Sequence, residues 1–122
     1  MYWQGRGSAL IAVATIAIVA APARVAAVDL AAAKKNYSRF CASCHGESGH
    51  ADGFAASRIP DKRRDFSNCA AMKKFSDRTL FTAIKEGGAA VGMSNAMPPG
   101  KDLFEDQEIE GLVAYVRSFC PR

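Results

Sequence analysis

The segment that decides the fold is Cys41-Ala42-Ser43-Cys44-His45, a C-x-x-C-H sequence that occurs once in the chain. An alanine-rich stretch with helical spacing of its apolar residues precedes it, and a polar stretch with several glycines follows it. At the end of a helix, two cysteines three positions apart project to the same side. The histidine comes directly after them, so the three side chains can act on one bound group.

C-x-x-C-H is the attachment sequence of haem c. In that chemistry Cys41 and Cys44 form thioethers with the two vinyl groups along one porphyrin edge, and His45 becomes the proximal ligand of the iron. Paired cysteines also occur in redox dithiols and in zinc sites. A thioredoxin-like dithiol needs a βαβ context, and a zinc site needs a second ligand pair, whereas Cys69 and Cys120 lie far apart in the sequence. The motif therefore predicts one covalent haem c.

The second axial ligand of the iron is expected to be a methionine. Met97 is followed by two prolines that fix the backbone next to its sulfur, so we expect Met97 to be the distal ligand. Met93 lacks this bracing and is an alternative, whereas Met72 is interpreted as a core residue that fills a gap. His50, in a polar loop, and an iron without a second protein ligand remain further alternatives.

The N-terminal residues have the pattern of a secretory signal. Residues 9–21 are apolar except for Thr15. This run suits the apolar core of a signal but falls short of the roughly 20 residues that span a bilayer. Because Val25-Ala26-Ala27 fits signal peptidase, we expect cleavage after residue 27 and a single mature domain over residues 28–122, without a membrane span. An uncleaved N-terminal anchor is the alternative.

Export places the mature chain in the periplasm, which is an oxidising compartment. The two cysteines outside the attachment motif, Cys69 and Cys120, are therefore expected to form a disulfide. The alternative is two separate buried thiols.

Apolar residues at helical spacing predict an all-α domain. The predicted helices cover residues 30–43, 77–86 and 105–119. Asp29 and Ser76 are suitable N-caps for the first two. Residues 46–64 and 87–102 are predicted as loops, and the first is long enough to suggest that it wraps a bound group.

The charge argues against a nucleic-acid-binding protein. The net charge of the chain is +4 at pH 7, but two of its arginines lie within the expected signal, and no concentrated basic face is apparent. Basic residues cluster at 62–64 and 73–74, and acidic residues at 102–110. We interpret these clusters as solvated faces. The alternative is that a basic run docks an acidic redox partner or pairs with a haem propionate. Arg58 and Arg64 are the first candidates for the propionate contact.

On these residues the chain resembles a bacterial, exported class I monohaem c-type cytochrome over essentially all of residues 28–122. The matching features are the helix that ends in the attachment motif, the helix followed by Gly87-Gly88, the Met97-Pro98-Pro99 loop and the closing helix. The resemblance implies a small cytochrome c fold whose first and last helices cross near Ala33, Tyr37 and Tyr115. It also implies that a backbone carbonyl near Pro60 accepts the imidazole N–H of His45.

Some positions depart from the family pattern. Ala33 stands where the family usually has glycine. Glu105 stands where serine or threonine usually caps the last helix, so we expect Asp106 to take that role. The loop over residues 61–64 lacks a second proline.

The function implied by the resemblance is outer-sphere electron transfer by a monomeric carrier that meets its protein partners in short-lived contacts. Such a carrier is not an enzyme and needs no catalytic residue. Two alternatives stay open: a haem subunit of a larger oxidoreductase complex, and a ligand-binding or peroxidase-like haem protein if the sixth iron site is open.

Overall fold

The computed structural model describes residues 1, 27–59 and 65–120, and these form helices and loops without a β-strand. The helices are α1 (Leu30–Phe40), α2 (Ala42–His45), α3 (Cys69–Met72), α4 (Asp77–Glu86) and α5 (Asp106–Ser118). Short 3₁₀ turns at Ala56–Arg58 and Gly88–Val91 lie in the connections. The predicted all-α class is confirmed. Within the described ranges, no helix has the length and apolar character needed to cross a membrane.

Helices α1 and α5 cross closely at two small residues. A side-chain carbon built on Gly111 of α5 would lie 3.4 Å from the Cβ atom of Ala33 on α1. That separation is ordinary van der Waals contact, so alanine would fit at Gly111, but a residue larger than alanine at either position would push the helices apart. Two small residues thus allow α1 and α5 to approach closely.

Aromatic rings fill the space beside this crossing. Tyr37 is completely buried, and its ring centroid lies 5.1 Å from that of Tyr115 and 5.4 Å from that of Phe119. Ile109 and Leu112 of α5 are buried in the same core. Burying each of these large side chains stabilises the fold by roughly 1.5–3 kcal/mol. The predicted crossing near Ala33, Tyr37 and Tyr115 is confirmed.

Helix α4 has the predicted bounds because local signals define both of its ends. Ser76 Oγ accepts a hydrogen bond of 3.0 Å from the Thr79 N–H. Gly87, at a φ of 88°, ends the helix in a conformation that other residues rarely adopt.

The end of α5 is fastened to α3 and to the start of α4. The structure has a disulfide between Cys69 and Cys120, whose Cα atoms are 5.4 Å apart. Arg117 donates hydrogen bonds to the backbone carbonyls of Met72 and Phe75 and to the carboxylate of Asp77. One arginine therefore holds the segment between α3 and α4 against α5.

The structure corrects three details of the sequence interpretation. The helix expected over residues 30–43 is divided at Cys41, and its second part, α2, continues to His45. The cap of α5 is Glu105 rather than Asp106, because the Glu105 N–H donates to Glu108 Oε2 at 3.0 Å and so gains a partner within the first turn. The predicted loops at residues 46–64 and 87–102 are not all loop, since they contain the 3₁₀ turns Ala56–Arg58 and Gly88–Val91.

Three further expectations fall outside the described residues. They are the signal sequence predicted over residues 1–27, of which 2–26 are not described, the carbonyl near Pro60, and the basic run at residues 62–64, which includes Arg64.

Candidate functional site

An open apolar cavity lies inside the helical frame, and every α-helix contributes to its wall. Its empty space is about 1300 Å³, including solvent at the mouth. Most of the lining side chains are apolar, among them Phe40, Phe66, Met72, Phe75, Leu80, Ile84, Leu103, Phe104, Leu112 and Val116. A cavity of this character suits a large apolar ligand better than a polar substrate.

The attachment motif forms one wall of this cavity. Cys41, Cys44 and His45 all line it, and all three are half-buried. The turn that carries them is held by hydrogen bonds from the backbone N–H groups of Cys44 and His45 to the Cys41 carbonyl, at 3.1 and 3.0 Å. Both sulfurs and the imidazole are therefore presented by one short, hydrogen-bonded segment.

The two thiols of the motif are free of a disulfide, and Cys41 is held in its neutral form. Burial, with a smaller contribution from the neighbouring Cys44, raises the pKa of the Cys41 thiol to about 11. The thiolate is the reactive form in a redox-active dithiol, and neither burial nor the neighbouring Cys44 favours the thiolate of Cys41. A four-cysteine zinc site is also excluded, since Cys69 and Cys120 are bonded to each other.

The His45 imidazole is oriented by an aromatic ring that the sequence analysis did not identify. It stacks on Phe66, with ring centroids 4.3 Å apart and planes inclined by 15°. The Phe66 N–H donates to the Gly49 carbonyl at 2.7 Å, so this ring is tied to the loop that follows the motif. No local sequence pattern marks Phe66, because its partner lies 21 positions earlier in the chain.

A buried tyrosine fixes the backbone directly after His45. The Tyr37 hydroxyl donates a hydrogen bond of 2.7 Å to the Gly46 carbonyl. Burial raises the pKa of Tyr37 well above its usual value, with further contributions from Cys41, Tyr115 and acidic neighbours. The hydroxyl consequently stays protonated and remains a donor.

Met97 and Met93 also line the cavity. Met72 lines it too, but it is only 3% exposed and belongs to the core cluster, as its interpretation as a core residue requires. His50 and Arg58 are exposed and are not part of the lining. The structure therefore brings the attachment motif together with two methionine sulfurs and leaves His50 outside.

Gly88 places the methionine-bearing segment, a role that the sequence analysis did not anticipate when it interpreted Gly87-Gly88 only as the end of α4. The Gly88 N–H donates to the Met97 carbonyl at 3.1 Å, and the Gly88 carbonyl accepts from the Met93 N–H at 2.9 Å. A side-chain carbon on Gly88 would lie only 2.3 Å from the Ser94 carbonyl oxygen. The segment thus packs against Gly88 at a distance that no other residue permits.

The donor set and its surroundings fit haem c. Two thiols three positions apart are suited to thioether formation with the vinyl groups, and an imidazole and a thioether sulfur are common axial ligands of haem iron. The apolar walls match the hydrocarbon face of a porphyrin. Cys41, Cys44 and His45 would hold the group on one side, and Met97 or Met93 would complete its coordination.

Comparisons with known proteins agree with this chemistry. The family model described as cytochrome C oxidase, cbb3-type, subunit III matches residues 28–116. The chain belongs to this family of c-type cytochromes. Covalently bound haem c is therefore the cofactor of this cytochrome, and electron transfer is the chemistry of its family.

A solved structure leads to the same conclusion. The KustC0563 c-type cytochrome is 26% identical to this cytochrome and superposes with a TM-score of 0.59. The match covers 71% of this chain and 95% of the other. No curated protein sequence matches this cytochrome.

Proposed function

We propose that this cytochrome is a soluble periplasmic electron carrier with a single haem c. The haem is attached through Cys41 and Cys44, and His45 and Met97 are its axial ligands. The observation that carries the proposal is the shared cavity, which the attachment motif lines together with a methionine from a distant loop. The haem, when bound, supplies a one-electron ferric–ferrous couple.

Neighbouring residues would support this redox couple by fixing the positions of the two axial ligands of the iron. Phe66 stacks on the proximal imidazole, and Gly88 anchors the backbone of Met97. The apolar walls would face a bound haem with few polar groups that hold water. With both axial ligands fixed in position, little rearrangement accompanies gain or loss of an electron. His/Met ligation also gives the iron a higher reduction potential than bis-histidine ligation would.

Partners would approach at the mouth of the cavity. Phe40 and Leu103 line the cavity and remain 41% and 59% exposed. The exposed parts of these two apolar side chains suit the small, transient contacts that electron-transfer proteins make. The carrier would be a monomer, and no residue is assigned a catalytic role.

Two observations support export and processing. The family match begins at residue 28, directly after the expected cleavage position. The disulfide between Cys69 and Cys120 is also of a kind that persists in oxidising compartments.

A mass spectrum of the protein from a periplasmic extract tests location, processing and haem number together. We expect the mass of residues 28–122 plus one haem, and we expect a Cys41→Ala/Cys44→Ala variant without covalent haem. A chain that retains residues 1–27 and sediments with membranes would contradict the proposal of a soluble carrier.

Voltammetry of the holoprotein tests the ligands. We expect one reversible one-electron wave in the wild type and a clearly lower potential in Met97→His, because bis-histidine ligation lowers the potential. Met72→Leu is the matched control, since it alters another methionine of the cavity wall while keeping an apolar side chain. A potential equal to that of the wild type in both Met97→His and Met97→His/Met93→Ala would contradict the assignment of Met97.

The second candidate function is that of a haem subunit in a larger oxidoreductase. It is favoured by the family description, which names subunit III of an oxidase. Affinity purification of a tagged chain from gently solubilised membranes distinguishes the two. Stoichiometric co-purification with other subunits would favour the complex, whereas recovery as a free monomer would favour the carrier.

A further inference from the structure

We infer that Met93 is a reserve ligand of the haem iron, which binds when the Met97 sulfur is absent. The inference rests on the proposed His45/Met97 ligation and adds a second residue to the same coordination position. It would keep the iron six-coordinate and closed to small ligands after loss of Met97.

The first argument is position. Met93 and Met97 line the same cavity as His45, and both are half-buried rather than locked in the core. A thioether is uncharged at every pH, so Met93 can enter an apolar cavity without a desolvation penalty for charge. Met93 would offer the iron the same neutral thioether donor as Met97, so its binding would change neither charge nor proton count.

The second argument is that both methionines are anchored to one residue. The Gly88 N–H donates to the Met97 carbonyl at 3.1 Å, and the Gly88 carbonyl accepts from the Met93 N–H at 2.9 Å. Loss of the Met97 side chain leaves these backbone bonds intact, because neither uses a side-chain atom. Met93 therefore stays at the cavity wall when the Met97 sulfur is removed.

The third argument is that the backbone beside Met93 has room to adjust. Gly92 precedes it at a φ of 71°, and no atom lies within 4 Å of the position that a side chain on Gly92 would take. The backbone directly before Met93 is therefore not packed against other atoms on that side. By contrast, Met72 belongs to α3, is only 3% exposed, and its carbonyl is held by Arg117 at 2.9 Å.

The experiment compares holoproteins of the wild type, Met97→Ala, Met93→Ala and the double variant. The readouts are the weak far-red sulfur-to-iron band of the ferric protein and carbon monoxide binding to the ferrous protein. We expect Met97→Ala to keep at least half of the wild-type band intensity and to bind carbon monoxide at least tenfold more slowly than the double variant. The double variant should lose the band, and Met93→Ala should match the wild type.

One further variant separates an effect on iron ligation from an effect on folding. Met97→Leu is measured beside Met97→Ala because leucine restores most of the lost side-chain volume. Far-UV circular dichroism of each variant verifies that the helices are retained.

The outcomes also separate this inference from the proposed function. If both Met97 single variants lose the band completely and bind carbon monoxide as fast as the double variant, the reserve ligand is refuted and Met97 remains the sole distal ligand. If Met93→Ala alone loses the band, Met93 is the primary ligand, and both assignments are overturned. A wild type without the band refutes the His/Met proposal, and the reserve ligand with it.

Discussion

The α1–α5 crossing and the methionine loop, residues 87–100, are held in different ways. The crossing depends on side-chain packing: Gly111 meets Ala33, and the rings of Tyr37, Tyr115 and Phe119 fill the remaining space. The methionine loop depends on backbone hydrogen bonds. Inside the loop, Met93 and Met97 are bonded to Gly88. At its end, the Gly100 N–H donates to the Ile84 carbonyl at 2.8 Å.

This difference separates stability from ligation. Damage to the crossing should lower the free energy of unfolding while leaving the chemistry of any folded molecule intact. Damage to the loop should displace the methionine sulfurs while the helices persist. The predictions below test this separation, beginning with the largest expected change in stability.

Removal of the disulfide should have the largest effect on stability. For a Cys69→Ala/Cys120→Ala variant we expect a loss of about 4 kcal/mol, because the bridge closes a loop of 51 residues in the unfolded chain. Denaturant titration of the holoprotein measures this change. The far-red band of the folded variant should equal that of the wild type. Loss of the band under native conditions would show that the packing of the helices and the position of the methionine loop depend on each other.

Gly88→Val should reverse this pattern. The new side chain would collide with the Ser94 carbonyl and force the loop away, at an expected cost of roughly 1–3 kcal/mol and with loss of the far-red band. Gly92→Asn is the matched control, because this position is open and asparagine tolerates a positive φ. An intact band in Gly88→Val would contradict the role assigned to Gly88.

Tyr37→Phe should destabilise the frame by about 1–2 kcal/mol, since the Gly46 carbonyl loses a buried donor at 2.7 Å. Thermal unfolding measures the change. Tyr115→Phe provides the control, because its hydroxyl makes no hydrogen bond to the part of the chain that the structure describes. Equal effects in the two variants would indicate that the Tyr37 hydrogen bond contributes nothing specific.

Lys85→Met should have the smallest effect. Lys85 Nζ lies 2.6 Å from Asp106 Oδ1 and links α4 to α5, but the Asp106 side chain is 63% exposed. We expect a change below about 1 kcal/mol, because water screens such pairs. The difference from the wild type should shrink further in 1 M salt. A loss that high salt does not reduce would assign the effect to packing of Lys85 against Phe81 instead.

The sequence alone was sufficient where the determining interactions are local. The bounds of α4 followed from Ser76 at one end and Gly87 at the other, and both act within one turn. The C-x-x-C-H motif likewise identified three cavity residues, because haem attachment requires these residue types at this spacing. The interruption at Cys41 was missed because it does not interrupt the helical spacing of apolar residues.

Features that depend on distant contacts could not be predicted. Gly111 looks like an unfavourable helix residue until Ala33 is placed against it. Phe66 acquires its role only when the fold places it on His45, and Gly88 only when the methionine loop returns to it. Glutamate is an unusual residue type at the N-cap of a helix, which favours Asp106 in the sequence. Glu108, three positions after Glu105, accepts a hydrogen bond from the Glu105 N–H and makes Glu105 the cap.

We propose that α2 presents His45, and the methionine loop presents Met97, to the same haem. The most direct test is the optical spectrum of the purified mature protein in its ferric and ferrous forms, with and without carbon monoxide. We expect a weak far-red band in the ferric form and no prompt change on adding carbon monoxide to the ferrous form. A missing far-red band together with a prompt carbon monoxide shift would contradict it and would favour a haem protein with an open sixth site.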